Sequence, residues 1–167
     1  TGEEPPVKVP VGSTVHFIGE MHGIRCKAYA LHTPISGEEA PVRQMTGLRA
    51  SYESLPFDEY NMAGKAFEIL NWDKNTRYCP SCGVPTKQIS DIGKKCPECR
   101  QEFYPHISPA IIVRINKGDS ILMVRAKNFR GTYYGLVAGF LEAGETLEEC
   151  VHREVMEESG IRIKNMK

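Results

Sequence analysis

The amino-terminal half of the chain carries two short apolar runs and then one helical pattern. The runs Val15–Glu20 and Arg25–Leu31 follow a proline-rich start and predict two strands. From Pro56 to Trp72, apolar residues recur at spacings of three and four, which predicts a helix that begins at the proline. The predicted buried stripe of that helix is Phe57, Tyr60, Ala63, Phe67 and Leu70.

A different pattern begins at Pro105 and predicts strands. Ala110–Asn116 and Ser120–Ala126 are apolar runs joined by Lys117-Gly118-Asp119, which is typical of a hairpin. Thr132–Ala138 predicts a further strand.

The last predicted element is a helix from about Leu147 to Ser159. Thr146 and Glu149 have the spacing of a capping box, and Gly160 is a natural C-terminal stop. Both ends of this helix are therefore marked by local signals.

Composition narrows the class of protein. The 167 residues are 41% hydrophobic and 25% charged, which is typical of a folded chain and not of a disordered one. The formal net charge is zero, which argues against a broadly basic nucleic-acid binder. Apolar runs are no longer than a strand, so we expect neither a membrane span nor a signal peptide.

Four of the six cysteines form two C-x-x-C pairs. Cys79 and Cys82 are followed, after 13 residues, by Cys96 and Cys99. Four thiolates at this spacing predict a tetrahedral Zn²⁺ site, and a closed ligand shell favours a structural over a catalytic metal. Nearby lysines and aromatics leave nucleic-acid binding open, with a solvated surface favoured. Cys26 and Cys150 have no predicted role beyond that of small buried hydrophobes.

The predicted second helix is rich in glutamate. Six glutamates and one arginine between Glu145 and Glu158 give a formal charge of −5, for which a solvated acidic face is the simplest interpretation. Helical geometry instead places Glu154 and Glu158 in or beside the apolar stripe, with Glu157 on its flank. Carboxylates at such positions need neutralising cations, and their hard oxygens suit Mg²⁺ or Mn²⁺.

The same segment resembles the Nudix box. Gly139, Glu145 and the run from Arg153 to Ile161 match the box pattern of Gly, five residues, Glu, seven residues and Arg-Glu-aliphatic-x-Glu-Glu-x-Gly-aliphatic. The resemblance implies a metal-dependent hydrolase of nucleoside diphosphate derivatives. It implies that Glu154, Glu157 and Glu158 are catalytic and hold Mg²⁺ or Mn²⁺ with the carbonyl of Ala138, and that Arg153 orients them.

A narrower resemblance is to the NADH pyrophosphatase branch of that family, which includes enzymes that remove NAD caps from RNA. It is carried by a four-cysteine ribbon directly before the box, with Trp72, Arg77–Gly83, Tyr104–Ala110 and Leu136–Phe140. It implies a homodimer, and we expect a cytoplasmic location. It also implies that Phe140, Tyr104 and Arg43 contact substrate, although from sequence the two aromatics could equally belong to a core.

These features together predict an α+β fold in three parts. The parts are a small α/β domain over residues 1–75, a zinc ribbon over 76–104, and the first portion of a Nudix α/β/α sandwich over 105–167. Because a Nudix domain is roughly twice as long as the last part, we expect the chain to be truncated after the box. A later metal-binding glutamate and the Ser-Gln-Pro-Trp signature of the branch are not in this sequence.

Three functions remain open from sequence. The first is hydrolysis of the pyrophosphate of NADH or NAD⁺ to a nicotinamide mononucleotide and AMP, with NAD-capped RNA as a further substrate. The second is a different Nudix specificity, for ADP-ribose or nucleotide sugars. The third is a non-catalytic zinc-ribbon adaptor for nucleic acid, which the intact box disfavours.

Overall fold

The computed structural model of the chain describes residues 8–31, 46–127 and 131–167. Contacts divide it into two compact units, Thr1–His106 and Ile107–Lys167, and each is described by itself. The predicted α+β class is confirmed, with helices and antiparallel strands in both units. The predicted boundaries at 75/76 and 104/105 stay predictions.

The first unit opens with an antiparallel hairpin. Strand β1 spans His16–Met21 and strand β2 spans Ile24–Ala28, close to the two predicted strands. The two residues between them, His22 and Gly23, have φ of 53° and 77°. Positive φ at both positions is the geometry of the tight hairpin turn whose twist matches the flanking strands.

Helix α1 spans Phe57–Asn75 and follows a short 3-10 turn at Ala50–Glu53. The predicted buried stripe is correct at Leu70, which packs against the core, and wrong at Phe57 and Phe67, which are 67% and 60% exposed. The face that packs on the hairpin instead contains Ile69 and Trp72, with Met62, Ala66 and Leu70 beside them. Both faces have apolar residues at helical spacing, so the packing partner, not the spacing, selects the buried one.

The hairpin and α1 enclose the core of the first unit. Its buried members are Ile18, Ala28, Ile69 and Trp72, and Cys26 packs against them. Cys26 is half-buried here, in agreement with its expected role as a small hydrophobe.

Three short strands form the ribbon within the first unit. They are β3 at Lys87–Ser90, β4 at Gly93–Lys95 and β5 at Glu102–Phe103, and all pair antiparallel in that order. The strands carry little apolar core, since Ile89 and Ile92 are about half exposed.

The second unit contains short antiparallel pairs. Strand β6 spans Ala110–Val113 and pairs with β9, which spans Val137–Phe140. A small hairpin joins β7, Asn116–Lys117, to β8, Ser120–Ile121.

Three strand predictions in this unit need correction. The predicted strand Ala110–Asn116 ends at Val113, and Asn116 begins β7 instead. The predicted strand Ser120–Ala126 ends at Ile121, beyond which only an isolated bridge joins Val124 to Gly135. The strand predicted at Thr132–Ala138 begins at Val137 instead. Pairing with Ala110–Val113 fixes the position of β9, and this long-range contact left no local sequence signal.

Helix α2 spans Leu147–Ser159, as predicted. The Thr146 side chain accepts a hydrogen bond from the Glu149 amide, the Glu149 carboxylate accepts one from the Thr146 amide, and Gly160 ends the helix at φ 70°. The core under the helix consists of Ile111, Val137, Cys150, Val151 and Val155. Within the described part of the chain, neither helix has the length and apolarity that crossing a membrane requires.

Candidate active site and metal centre

The four cysteines of the ribbon meet at one point. The sulfur atoms of Cys79, Cys82, Cys96 and Cys99 all lie within 4.8 Å of one another, and the Cys79 and Cys99 sulfurs are 3.6 Å apart. A tetrahedral zinc with Zn–S bonds of about 2.3 Å places its sulfurs about 3.8 Å apart. The cluster therefore has the size and the ligand chemistry of a structural zinc site.

Two matching backbone turns position the ligands. The Gly83 amide donates to the Cys79 carbonyl and the Cys79 amide donates to the Val84 carbonyl. The second knuckle repeats this arrangement, because the Arg100 amide donates to the Cys96 carbonyl. Gly83 and Arg100 have φ of 70° and 65°, so each knuckle closes through a left-handed residue.

The thiols differ in how readily they ionise. Burial of the Cys79 thiol opposes ionisation, but hydrogen bonds from the Cys82 and Ser81 backbone and from neighbouring thiols lower its pKa to about 7. Hydrogen bonding to Cys99, with burial, raises the pKa of Cys82 to about 12. Four neighbouring thiolates repel one another, so a bound cation is what allows all four to act as ligands.

A second polar cluster surrounds Arg153 on α2. The guanidinium donates two hydrogen bonds to Glu145, Nε to Oε1 at 2.8 Å and Nη2 to Oε2 at 2.9 Å. It also donates from Nη1 to Glu154 at 2.9 Å and to Glu157 at 3.3 Å, and from Nη2 to the Phe140 carbonyl at 2.9 Å. All five N–H donors of the guanidinium are therefore used, and they join α2 to the end of β9.

Close backbone packing places the Glu154 carboxylate against β9. A Cβ atom built on Gly139 would overlap the carboxyl group of Glu154. Only glycine fits at this position while Glu154 stays where it is, and the Glu154 side chain is only 13% exposed as a result.

Family models account for nearly the whole chain. Residues 105–167 match the NUDIX domain, 74–104 match the NADH pyrophosphatase zinc ribbon domain, and 1–72 match the NADH pyrophosphatase-like rudimentary NUDIX domain. The chain belongs to the Nudix family. The zinc ribbon match agrees with the four-cysteine cluster.

Several relatives of this Nudix protein are named NAD-capped RNA hydrolase NudC. The protein of Pseudomonas syringae pv. syringae is 41% identical over 169 residues, which cover 99% of this chain and 57% of the relative. The Deinococcus radiodurans protein is 34% identical, and the match covers 99% of this chain and 59% of the relative. The Chromobacterium violaceum protein is 39% identical, and the match covers 72% of this chain and 46% of the relative. The chain thus spans about half the length of the curated relatives it matches.

The carboxylates of the Nudix box differ in exposure. Glu154 is largely covered, but the Glu157 side chain is 60% exposed and Glu158 is also exposed. Glu158 was expected in or beside the buried stripe, but its side chain is exposed, and Leu147 is likewise 55% exposed. Glu158 lies in the last turn of α2, beyond Val155, which is the last buried residue of the helix.

The carboxylates of the Nudix box do not meet at a common point in these side-chain positions. Among residues 8–31, 46–127 and 131–167, the four cysteines are the one group of three or more such ligands that lie close together. Glu157 and Glu158 would have to turn toward Glu154 and the Ala138 carbonyl to share an ion. Their roles stay predictions.

The three predicted substrate residues have separate outcomes. Phe140 and Tyr104 are 65% and 46% exposed, so neither belongs to a core. The Tyr104 hydroxyl donates to Glu102 at 2.8 Å, and this bond raises the pKa of Tyr104. Arg43 lies outside the described residues, and contact of any of the three with substrate stays a prediction.

Sequence reasoning missed the rudimentary Nudix character of residues 1–72 and the hydrogen bond made by Cys150, which is buried as expected. The rudimentary Nudix character of residues 1–72 has no motif of its own in the sequence. Cys150 is fully buried, its thiol donates to the Phe140 carbonyl at 3.4 Å, and burial raises its pKa. Its position three residues before Arg153, on the same helical face, was the available signal.

We expect the Glu145–Arg153 pair to make stability depend on acid pH. Hydrogen bonds from Arg153, then from the Glu142 amide, lower the pKa of Glu145 from its ordinary 4.5 to about 2. Because the folded pKa is the lower one, the stabilisation is complete above about pH 4.5 and is lost as the pH falls toward 2. The midpoint of thermal unfolding of the wild type should therefore exceed that of Glu145→Gln at pH 6, with the gap closing near pH 2.

The matched control is Glu148→Gln, an exposed carboxylate of the same helix. A gap between wild type and Glu145→Gln that stayed constant from pH 6 to pH 2 would show that the charge of Glu145 does not contribute to the stability of the fold.

Proposed function

We propose that the protein carrying this chain hydrolyses the pyrophosphate linkage of NADH or NAD⁺, giving a nicotinamide mononucleotide and AMP in a metal-dependent reaction. Removal of NAD caps from RNA is the same bond cleavage on a longer substrate, and the names of the curated relatives favour it.

The observation that carries the proposal is the charge balance around Arg153. Three carboxylates, Glu145, Glu154 and Glu157, surround one guanidinium and leave two uncompensated negative charges. A divalent cation would balance them, and carboxylate and carbonyl oxygens are the ligands that Mg²⁺ and Mn²⁺ prefer. The predicted ligands are Glu154, Glu157, Glu158 and the Ala138 carbonyl.

The carboxylate and carbonyl oxygens available here are the type of ligand that such an ion binds. When bound, a divalent ion would neutralise phosphoryl oxygens and lower the pKa of a water molecule. Arg153 holds Glu154 in place through Nη1 and fixes the end of β9 through the Phe140 carbonyl. The exposed Glu157 carboxylate is then available to accept a proton from the attacking water.

Exposed aromatic side chains offer surfaces for the bases of a dinucleotide. Phe140 ends β9, where its carbonyl accepts a hydrogen bond from Arg153, and its side chain is 65% exposed. We infer that Phe140 stacks on a substrate base and that Tyr104 and Arg43 contact the substrate, because aromatic faces suit bases and a guanidinium suits phosphate. A homodimer, which the family resemblance implies, and a cytoplasmic location, expected because the paired cysteines are arranged as metal ligands and not as disulfides, complete the proposal.

A product assay tests the function. The native-length protein would be incubated with NADH and Mg²⁺ or Mn²⁺, with ADP-ribose in parallel, and the products separated by chromatography. We expect AMP and reduced nicotinamide mononucleotide from NADH at a rate well above that for ADP-ribose. Hydrolysis of ADP-ribose without cleavage of NADH would replace this proposal by a different Nudix specificity.

RNA forms a separate arm of the assay. NAD-capped RNA should release nicotinamide mononucleotide, while the same RNA with a 5′-triphosphate should stay intact. Cleavage of NADH alone would limit the proposal to the free dinucleotide.

A further inference from the structure

A polar cavity lies in the first unit, where the hairpin, α1 and the ribbon meet. Its volume is about 480 Å³, within the usual range for small-molecule pockets. The lining comes from distant parts of the chain, including Ser13 before β1, Asp73 on α1, Arg77 after it, and Gln88 and Lys94 on the ribbon. None of these residues belongs to the Nudix box or to the four-cysteine cluster.

One buried polar atom without a hydrogen-bond partner belongs to a residue that lines this cavity. In the described part of the chain, the buried side-chain atoms without a hydrogen-bond partner are Ser13 Oγ, both ring nitrogens of His16, and Trp72 Nε1. Ser13 lines the cavity, while His16 and Trp72 pack against its walls. Buried polar groups are normally paired, so the unpaired Ser13 hydroxyl in the lining points to a polar partner in the cavity.

The cavity wall contains a buried ion pair. The Lys94 ammonium lies 2.6 Å from the Asp73 carboxylate and donates to the Asp73 carbonyl at 2.8 Å. His16 Nε2 lies 3.5 Å from the same carboxylate, and the ammonium lies 5.2 Å from the centre of the Trp72 ring. Two of the three ammonium donors are thus used.

The lining has an excess of positive charge. Arg77 and Lys94 contribute two cations against the single carboxylate of Asp73, which leaves a net charge of +1. Arg77 is exposed, and a guanidinium offers the planar donor pair that phosphate oxygens accept. The unpartnered Ser13 hydroxyl adds a neutral donor on the same wall.

We propose that this cavity binds a phosphate monoester of about mononucleotide size, with Arg77 as the main phosphate contact and Ser13 and Lys94 as supporting donors. The site is separate from the box carboxylates, and the inference does not depend on the proposed hydrolase activity. Volume sets the size of the ligand, and the charge and donor content of the lining set its chemistry.

The single tryptophan of the chain is a built-in reporter. Trp72 is buried beside Lys94 and Asp73, so occupancy of the cavity should change its emission. The zinc-loaded chain would be titrated with AMP, inorganic phosphate and adenosine without added divalent metal, by fluorescence and by isothermal titration calorimetry. We expect saturable binding of AMP with one site, weaker binding of inorganic phosphate, and none of adenosine.

Two variants, one inside and one outside the cavity lining, test whether AMP binds in this cavity. Arg77→Gln should weaken AMP binding at least about tenfold, because it removes a charged hydrogen-bond donor. Lys87→Gln removes one positive charge from an exposed ribbon position outside the lining and should leave the affinity unchanged. Because Arg77 is exposed, its replacement leaves the core intact.

Three results would overturn the proposal. One is the absence of saturable AMP binding in both measurements up to about 1 mM, a concentration that already detects a very weak complex. Another is adenosine binding as tightly as AMP, which would exclude phosphate recognition. The third is AMP affinity that falls in Phe140→Ala and not in Arg77→Gln, which would place the ligand at the box instead.

Discussion

Replacing Glu157 by glutamine is expected to abolish turnover of NADH while leaving the fold and the zinc content unchanged. The side chain is 60% exposed and its one described contact is the 3.3 Å bond from Arg153, so little stability depends on it. The substitution keeps the shape but removes the charge that would attract a divalent ion and accept a proton. Loss of a positioned acid–base group typically costs about 10²- to 10⁴-fold in rate.

The measurement is the release of AMP under saturating NADH and Mg²⁺, with zinc quantified in the same preparation. Glu148→Gln is the matched control, because it removes an exposed carboxylate from the first turn of the same helix and should retain full activity. Equal rates for wild type and Glu157→Gln would remove Glu157 from the mechanism.

Removal of zinc, or the substitution Cys96→Ser, is expected to unfold the ribbon. Cys79 and Cys96 are its most buried side chains, at 1% exposure each, and the isoleucines of the ribbon are about half exposed. So little apolar burial cannot hold β3, β4 and β5 together, whereas structural zinc contributes about 10–16 kcal/mol in small zinc domains. Backbone amides of the ribbon should lose their protection against hydrogen exchange on chelation.

Hydrogen exchange followed by mass spectrometry resolves this effect by segment. Cys26→Ser makes the same sulfur-to-oxygen change at a half-buried position outside the cluster and should leave ribbon protection intact. Slow exchange at Gly93–Lys95 in the metal-free chain would show that the ribbon folds without its metal.

Local signals in the sequence were enough to predict helix α2 and the four-cysteine cluster. Helix α2 begins after the Thr146 cap and ends at Gly160, because capping residues act within a single turn of the chain. The four-cysteine cluster was predictable for a similar reason, since metal coordination imposes short and regular ligand spacings.

Features that depend on long-range packing could not be predicted from the sequence. The buried face of α1 depends on which residues the hairpin presents to it, so Ile69 and Trp72 replaced the predicted Phe57 and Phe67. The start of β9 depends on pairing with β6, which no residue within Thr132–Ala138 encodes. In the candidate site, helical periodicity placed Glu154 beside the core correctly but overstated the burial of Glu158 at the helix end.

The cavity of the first unit illustrates the same limit. Ser13, Asp73 and Lys94 are separated by 60 and 21 positions along the chain, and each alone is an unremarkable polar residue. Only the folded arrangement shows that they share one space.

Because every N–H donor of the Arg153 guanidinium is used, few substitutions at this site are compatible with the same arrangement. Its five donors point along three directions in one plane, and a lysine at the same position could serve only a subset of them from a single nitrogen atom. A change at Arg153, Glu145 or Gly139 therefore disturbs the other two, and descendants of this gene can vary at neighbouring exposed positions such as His152 far more freely.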